Sequence, residues 1–307
     1  MRDTVKVACV QAEPVVFDRD ATLERLAALA ADAAGNGAEL VVFPETFVSV
    51  YPSSVWAKAL AGWGDPRAKA AFAMLAESGV QVPGPAADRI GEVAREHSVW
   101  LVVGVNELDP AHSGTVYNSL LYYAPDGRLA LTHRKLVPTN HERLVWGQGD
   151  GGGLRAIETP LGRLGGLICW ENYMPLARFS LYESGVEIYL ASTADDGDQW
   201  QATLVHIARE SRAFVLAPCH FQRASAYPAD FPLRELLDTH DLIGWGGSAI
   251  LGPDGSYLAG PLYGEEGILY AELESARLRE ERQRFDPSGH YHRPDVLRLS
   301  VTPHKPA

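Results

Sequence analysis

Three ionisable side chains stand at the ends of apolar runs of strand length. Glu45 follows Leu40-Val41-Val42-Phe43-Pro44, Lys135 closes Leu129-Ala130-Leu131-Thr132-His133-Arg134, and Cys169 follows Leu164-Gly165-Gly166-Leu167-Ile168. In open α/β sheets, ligands gather beyond the carboxyl ends of strands. A carboxylate there can move protons, an ammonium can stabilise a developing anion, and a thiolate can attack carbon. A helical stretch opens at Pro175, and a thiol just ahead of a helix start is expected to have a lowered pKa. Each residue also has a plainer reading: a surface carboxylate, a solvated basic cluster, a small buried hydrophobe. From its own segment Cys169 reads equally well either way.

Other constellations carry less chemistry. His290 and His292 flank Tyr291 without a third ligand at a metal-binding spacing, so no metal site is expected. A cysteine–histidine pair would need His141, His206 or His220 beside Cys169, and spacing selects none of them. The chain has no G-x-S-x-G, G-x-x-x-x-G-K-[ST] or G-x-G-x-x-G, and Gly149 to Gly153 contains Asp150 with no following Lys. Cys9 and Cys219 lie in strand-like runs and read as core filler; three scattered cysteines make no disulfide framework.

The 307 residues, 46% hydrophobic and 21% charged, can bury a large core. The net charge of -12 and the lack of any Lys/Arg patch argue against nucleic acid and anionic membrane as partners. With no apolar run of signal or membrane-spanning length, a cytoplasmic location is expected.

The elements that must position the three side chains follow from periodicity. Val5 to Gln11 reads as strand, Asp20 to Ala34 as a helix stopped by Gly35, and Leu40 to Phe43 as strand. Pro85 to His97 reads as helix and Val99 to Val105 as strand. Val116 to Tyr123 and Leu129 to Lys135 then form a hairpin around Pro125-Asp126-Gly127. The second half echoes this order. Gly37-Ala38-Glu39-Leu40 returns as Gly185-Val186-Glu187-Ile188, Ala94-Arg95-Glu96 as Ala208-Arg209-Glu210, and the Pro-Asp-Gly turn as Pro253-Asp254-Gly255. Three echoes in one order predict an internal duplication. Two α/β halves, each with an apolar sheet face to hide, predict a four-layer α-β-β-α sandwich over residues 4–275, with 276–307 as a C-terminal extension.

Three segments together resemble the nitrilase superfamily of carbon-nitrogen hydrolases: Phe43-Pro44-Glu45-Thr46-Phe47, His133-Arg134-Lys135-Leu136-Val137-Pro138-Thr139, and Ile168-Cys169-Trp170-Glu171-Asn172-Tyr173-Met174-Pro175. The similarity spans about residues 4–295. The segment after Cys169, with Glu142 to Gly151 and Gly289 to Val296, looks like the nitrilase branch. Ala191 to Asp196, which includes Thr193, followed by Trp200, is similar to nitrilases acting on arylacetonitriles or plant-type substrates. The resemblance implies a catalytic set of Cys169, Glu45 and Lys135, with Glu142 positioning Lys135 or the substrate, and Trp170, Tyr51, Trp146 and Thr193 are expected around the substrate. The three aromatics are read as an apolar pocket wall.

A nitrile carbon is a weak electrophile, so its hydrolysis needs a strong nucleophile and protons delivered to nitrogen. Glu45 as base, with Lys135 and the following helix start stabilising negative charge, would raise the thiolate fraction of Cys169. Attack would give a thioimidate, water would release ammonia to leave an acyl-thioester, and Glu45 would activate a second water. The backbone N–H of Trp170 could supplement Lys135. No metal or organic cofactor is implied. The same groups could attack an amide, so an amidase or N-carbamoyl amidohydrolase is the rival, and a catalytically silent binding relative is the rival from another class. A homodimer or higher homo-oligomer is expected through Leu176 to Tyr182, with Phe179 in that surface. The chain runs only thirteen residues past Pro294, which speaks against long filaments.

Overall fold

The computed structural model describes residues 1–303. The first half runs β1 (Thr4–Gln11), α1 (Arg19–Gly35), β2 (Leu40–Val42), α2 (Ser54–Ala57), α3 (Pro66–Glu77), β3 (Val80–Gln81), α4 (Pro85–His97), β4 (Trp100–Leu108), β5 (Val116–Tyr123) and β6 (Leu129–Arg134). The second runs β7 (Leu164–Gly166), α5 (Pro175–Glu183), β8 (Ile188–Leu190), α6 (Asp198–Ser211), β9 (Phe214–Ala217), β10 (Phe221–Arg223), β11 (Leu242–Leu251), β12 (Tyr257–Tyr263), β13 (Gly267–Glu274) and α7 (Ser275–Arg284).

Among the described residues the strands form two sheets. One has the order β13-β1-β2-β4-β5-β6, with β3 beside β4; the other has β10-β11-β9-β8-β7, with β12 beside β11. Each has a parallel centre, β1-β2-β4 and β7-β8-β9, extended by antiparallel strands. The layers follow from side-chain alternation, which sends successive residues to opposite sheet faces. Val5, Val7, Cys9, Leu40, Val42, Val102 and Leu120 meet Leu164, Ile188, Leu190, Phe214, Leu216 and Ile250 between the sheets. The intervening Ala8, Val10, Val41, Val103 and Leu121 pack under α1 and α4. Tyr189, Val215 and Leu251 do the same under α5 and α6. The expected α-β-β-α sandwich is therefore present.

The duplication extends to individual hydrogen bonds. Glu39 donates its N–H to Lys6 and accepts from Trp100, and Glu187 donates to Arg163 and accepts from Phe214. Each glutamate thus stitches a middle strand to its two neighbours. The Ala-Arg-Glu echoes close α4 and α6, which both end on a left-handed residue, Ser98 and Arg212. Gly127 and Gly255 take φ of 86° and 84° in the two Pro-Asp-Gly turns, a conformation in which a side chain would be strained.

Helix α7 is fastened to this body. Ser275 N–H donates to the Asp3 carbonyl, Leu278 joins the core between the sheets, and Arg282 donates to the Val186 carbonyl. Beyond it the chain runs along α5, where His292 packs edge-on against Phe179 at 5.3 Å. Among the described residues no helix is long and apolar enough to cross a membrane.

Candidate active site

Glu45, Lys135 and Cys169 all lie just past strands, at β2, β6 and β7 respectively. The sheets bring these ends together. Ser192, following β8, accepts the Cys169 N–H and donates its hydroxyl to the Phe43 carbonyl, so the cysteine turn and the glutamate loop share one tether. Lys135 N–H donates to the Asn118 carbonyl, which continues the β5–β6 pairing. Gly104, in β4 beneath the glutamate loop, has no room for a Cβ, which would collide with the Pro44 carbonyl and the Thr46 nitrogen.

A buried ladder of charge links these loops. Lys135 Nζ donates to Glu45 Oε1 at 2.8 Å and to Glu142 Oε2 at 2.7 Å, with the lysine and Glu45 side chains wholly out of solvent. Asn118 Nδ2 adds a second bond to Glu45 Oε1 at 2.6 Å. Glu142 also takes the Tyr51 hydroxyl at 2.7 Å and the Thr139 N–H at 2.6 Å. The latter bond belongs to a capping box on the short turn Asn140–Leu144. That box is legible as Thr139-x-x-Glu142 and could have located Glu142 without any resemblance. Glu45 Oε2 has no hydrogen-bond partner although it is buried. An acceptor in that position is open to a proton from a thiol or a water.

Cys169 sits in the left-handed region with φ 50°, at the start of a tight turn, Cys169–Tyr173. Thr46 beside Glu45 (φ 45°) and Asn140 near Glu142 (φ 44°) share that conformation. Strained non-glycine residues of this kind persist where the surrounding structure overdetermines them. The Cys169 sulfur accepts a hydrogen bond from the Thr193 hydroxyl at 3.1 Å.

The electrostatics differ from the sequence-based expectation of a lowered thiol pKa. Burial, then the Glu45 and Glu142 carboxylates, push the Cys169 thiol up, and Lys135 and the Thr193 hydroxyl do not offset them. The five-residue turn separates Cys169 from α5, which opens only at Pro175. Burial also raises Glu45, as does Glu142, against the opposing pull of Lys135 and Asn118. Lys135 is held firmly charged by Glu45 and Glu142 in spite of its burial. The resting arrangement is therefore a neutral thiol beside a carboxylate with raised proton affinity and a fixed ammonium. Such a set can generate a thiolate by proton transfer during attack, without storing one.

A second buried group holds the cysteine turn against the lysine strand. Glu171 Oε2 accepts the Ile168 N–H at 2.9 Å and pairs with His133 Nε2 at 2.8 Å, and Oε1 accepts the Leu136 N–H at 2.8 Å. Burial opposes its charge, but His133 and the two N–H groups outweigh burial and hold its carboxyl below the usual range. A lowered folded pKa contributes stability above the unfolded value, about 4.3, which is lost as pH falls through the folded value. Glu171→Ala is expected to cost about 3 kcal/mol. In urea titrations its deficit against the wild type should shrink as pH falls below 4; a deficit unchanged with pH would show that the charge is immaterial.

A cleft of about 410 Å³ opens over Cys169 and Glu142. Tyr51 and Trp170 line it; Trp170 is half exposed and donates Nε1 to Asp195 at 2.6 Å. Trp146 lies instead behind Lys135, with Nζ 5.6 Å from the ring, and donates to Asn106. Thr193 is spent on the sulfur and lies outside the cleft lining. The wall is also more polar than an aromatic reading of the sequence suggests, with His141, His220, Gln222, Asp195 and Asp196 on it. Of the three histidines weighed for a Cys–His pair, His141 and His220 reach this lining, whereas His206 is exposed on α6 near Glu210. Cys9 and Cys219 are buried and free.

Residues 6–283 match the carbon-nitrogen hydrolase family. The chain belongs to that family. An aliphatic nitrilase of Sinorhizobium fredii (strain HH103) is 42% identical to this carbon-nitrogen hydrolase, over 96% of this chain and 95% of its own. Nitrilase 1 of Arabidopsis thaliana is 40% identical, over 98% and 88%. The nitrilase branch of the superfamily, expected from the motifs, is thus where this carbon-nitrogen hydrolase falls. Saccharomyces cerevisiae Nit3, a member of branch 10 of the nitrilase superfamily, shares the fold with a TM-score of 0.74 and 22% identity, covering 94% of this chain and 97% of its own.

Proposed function

We propose that this carbon-nitrogen hydrolase converts an organic nitrile and two waters into the carboxylic acid and ammonia, with Cys169, Glu45 and Lys135 as the catalytic set. The observation that carries the reading is the free, buried Oε2 of Glu45 in a ladder anchored by Lys135 beside the Cys169 sulfur. As the sulfur bonds to the nitrile carbon, its proton passes to Glu45 and on to nitrogen, giving a thioimidate. Lys135, already fixed by Glu45 and Glu142, would stabilise the negative charge that develops without reorganising to meet it. A first water adds at carbon, ammonia leaves, and an acyl-thioester remains; a second water, deprotonated by Glu45, releases the acid and restores the thiol. Glu142 keeps the lysine aimed, and Tyr51 keeps Glu142 aimed. The sequences of the nitrilase-named relatives support the nitrile over the amide as substrate.

Three buried free thiols fit a cytoplasmic setting, and Leu176, exposed at the start of α5 beside exposed Tyr173, fits self-association into a dimer or larger assembly. Of the expected surface Leu176 to Tyr182, Ala177, Leu181 and Tyr182 are buried and Phe179 is covered by the segment carrying His292, which leaves Leu176 as its exposed apolar residue. Sedimentation velocity reads the assembly state directly.

The test of function is ammonia and acid release from a panel of aliphatic, arylacetic and aromatic nitriles, run beside their amides and N-carbamoyl amino acids. Acid from nitriles at rates well above those from amides is expected. Turnover confined to amides or carbamoyl compounds would move the assignment to the amidase reading. Because burial raises Glu45, the acid limb of kcat/KM should lie above the ordinary carboxylate range.

A further inference from the structure

The cleft wall contains polar atoms that the chain itself leaves unsatisfied. Gln222 and His220 both line the cleft while being 3% and 2% exposed. The Gln222 Oε1 has no hydrogen-bond partner; its Nε2 donates weakly, at 3.3 Å, to the Arg223 carbonyl. Neither ring nitrogen of His220 makes a hydrogen bond of standard geometry, and the backbone of Glu45 and Thr46 meets the ring only as a looser hydrogen-bonding partner. Burial pushes the imidazole down to about 4, so near neutrality it is uncharged and presents one donor and one acceptor.

The backbone that carries both residues is anchored. His220 N–H donates to the Thr193 carbonyl and its own carbonyl accepts from Gly246. Gln222 lies in β10, paired with Gly244 of β11. Buried polar groups without partners are costly, and in a ligand site they mark where the ligand's own polar groups belong. The charge around them narrows the choice. Asp195 and Asp196 share the wall, with Lys58 as the cation on the lining, which disfavours an anionic substituent. Both aspartates already accept bonds, from Trp170 and from the Trp245 N–H.

We propose that His220 and Gln222 form a recognition site for a neutral hydroxyl-type substituent on the substrate, a group that donates its one proton to Gln222 Oε1 and accepts a second hydrogen bond from the His220 ring N–H. This rests on the nitrile reading and deepens it: the substrate class is a hydroxylated nitrile in preference to its purely alkyl counterpart. A site built to hydrogen-bond a hydroxyl rejects the analogue lacking it, because its own polar groups are then buried unpaired. The carboxylate product would sit in the same negative surroundings, which favours its release.

The test compares kcat/KM for chain-length-matched pairs in which a terminal hydroxyl replaces a methyl, such as 3-hydroxypropionitrile with butyronitrile and 4-hydroxybutyronitrile with valeronitrile. At the best-fitting length the wild type is expected to prefer the hydroxylated nitrile by about tenfold or more. The ratio should collapse toward one in Gln222→Leu and in His220→Phe. Equal or better use of the alkyl nitrile at every length, or a ratio unmoved by both substitutions, overturns the proposal while leaving nitrile hydrolysis intact. Should no nitrile be turned over, the functional reading fails by itself. Recognition of the hydroxyl is then read from the thermal shift of Cys169→Ala with hydroxylated and alkyl amides of the same lengths, where equal shifts count against it. If Gln222→Leu does not fold, Gln222→Met and the wild-type pair ratios serve in its place.

Discussion

Cys169→Ala is expected to lower nitrile turnover by at least about 10⁴-fold while leaving the fold intact. No other described group in the cleft offers an equivalent nucleophile. Glu45 could at most activate water directly, forfeiting the covalent step that splits one difficult addition into two easier ones. The structural cost should be small, because the sulfur has one hydrogen bond, from Thr193, and the turn is held by Cys169 N–H to Ser192 and by Asn172 Nδ2 to the Cys169 carbonyl. Ammonia release measured beside a thermal melt checks both halves. Retention of more than about a hundredth of the activity in a well-folded Cys169→Ala protein would remove the thiol from the mechanism. Iodoacetamide adds a further check: with burial and two carboxylates holding the thiol up, its alkylation should still be rising at pH 8 instead of reaching a plateau near neutrality.

Lys135→Met should damage stability and catalysis together. The substitution leaves Glu45 and Glu142 facing one another, buried, with the cation between them gone. Breaking a buried pair from one side typically costs about 3–5 kcal/mol, and here two carboxylates are stranded. Glu45, already raised by burial and by Glu142, loses the lysine that opposes this shift and would take up a proton more readily in the folded state than when unfolded. A raised folded pKa gives stability that is present below the unfolded value and lost as pH rises through the folded one. The variant should therefore regain stability relative to the wild type as pH falls from 7 toward 5, in urea titrations at each pH. A deficit constant across that range would mean that the carboxylates do not feel the lysine. Turnover should fall by about 10³-fold or more, since the fixed charge opposite the developing anion is lost. Lys135→Arg should recover more stability than activity, because the guanidinium keeps the charge but not the compact point donor that fits between two carboxylates.

The parts of the site read from the chain are those announced by strand ends. Glu45, Lys135 and Cys169 each close an apolar run, which is a local property, and the two α/β halves, each with an apolar sheet face to hide, foretold the four layers. Glu142 carried a local mark as well, the Thr139-x-x-Glu142 cap, although its role came from the family resemblance. What could not be read were the partners supplied from elsewhere: Asn118 from the start of an antiparallel strand, and His220 and Gln222 from the second sheet. Their spacing from Cys169 along the chain carries no trace of proximity, because sheet order and not chain order makes them neighbours. Trp146 was assigned to the pocket wall by residue type, yet packing places it behind the lysine.

The sequence by itself determined the β-α alternation, the duplicated order of elements, and three reactive side chains at strand ends, since periodicity, turn residues and apolar runs act over a few neighbouring positions. Only the tertiary structure decided how those side chains behave. It placed the thiol among carboxylates, so that burial and repulsion raise a pKa which a helix start had been expected to lower, and it left one oxygen of Glu45 free. Ionisation depends on distances between groups far apart in the chain, and those distances exist only once the two sheets have packed.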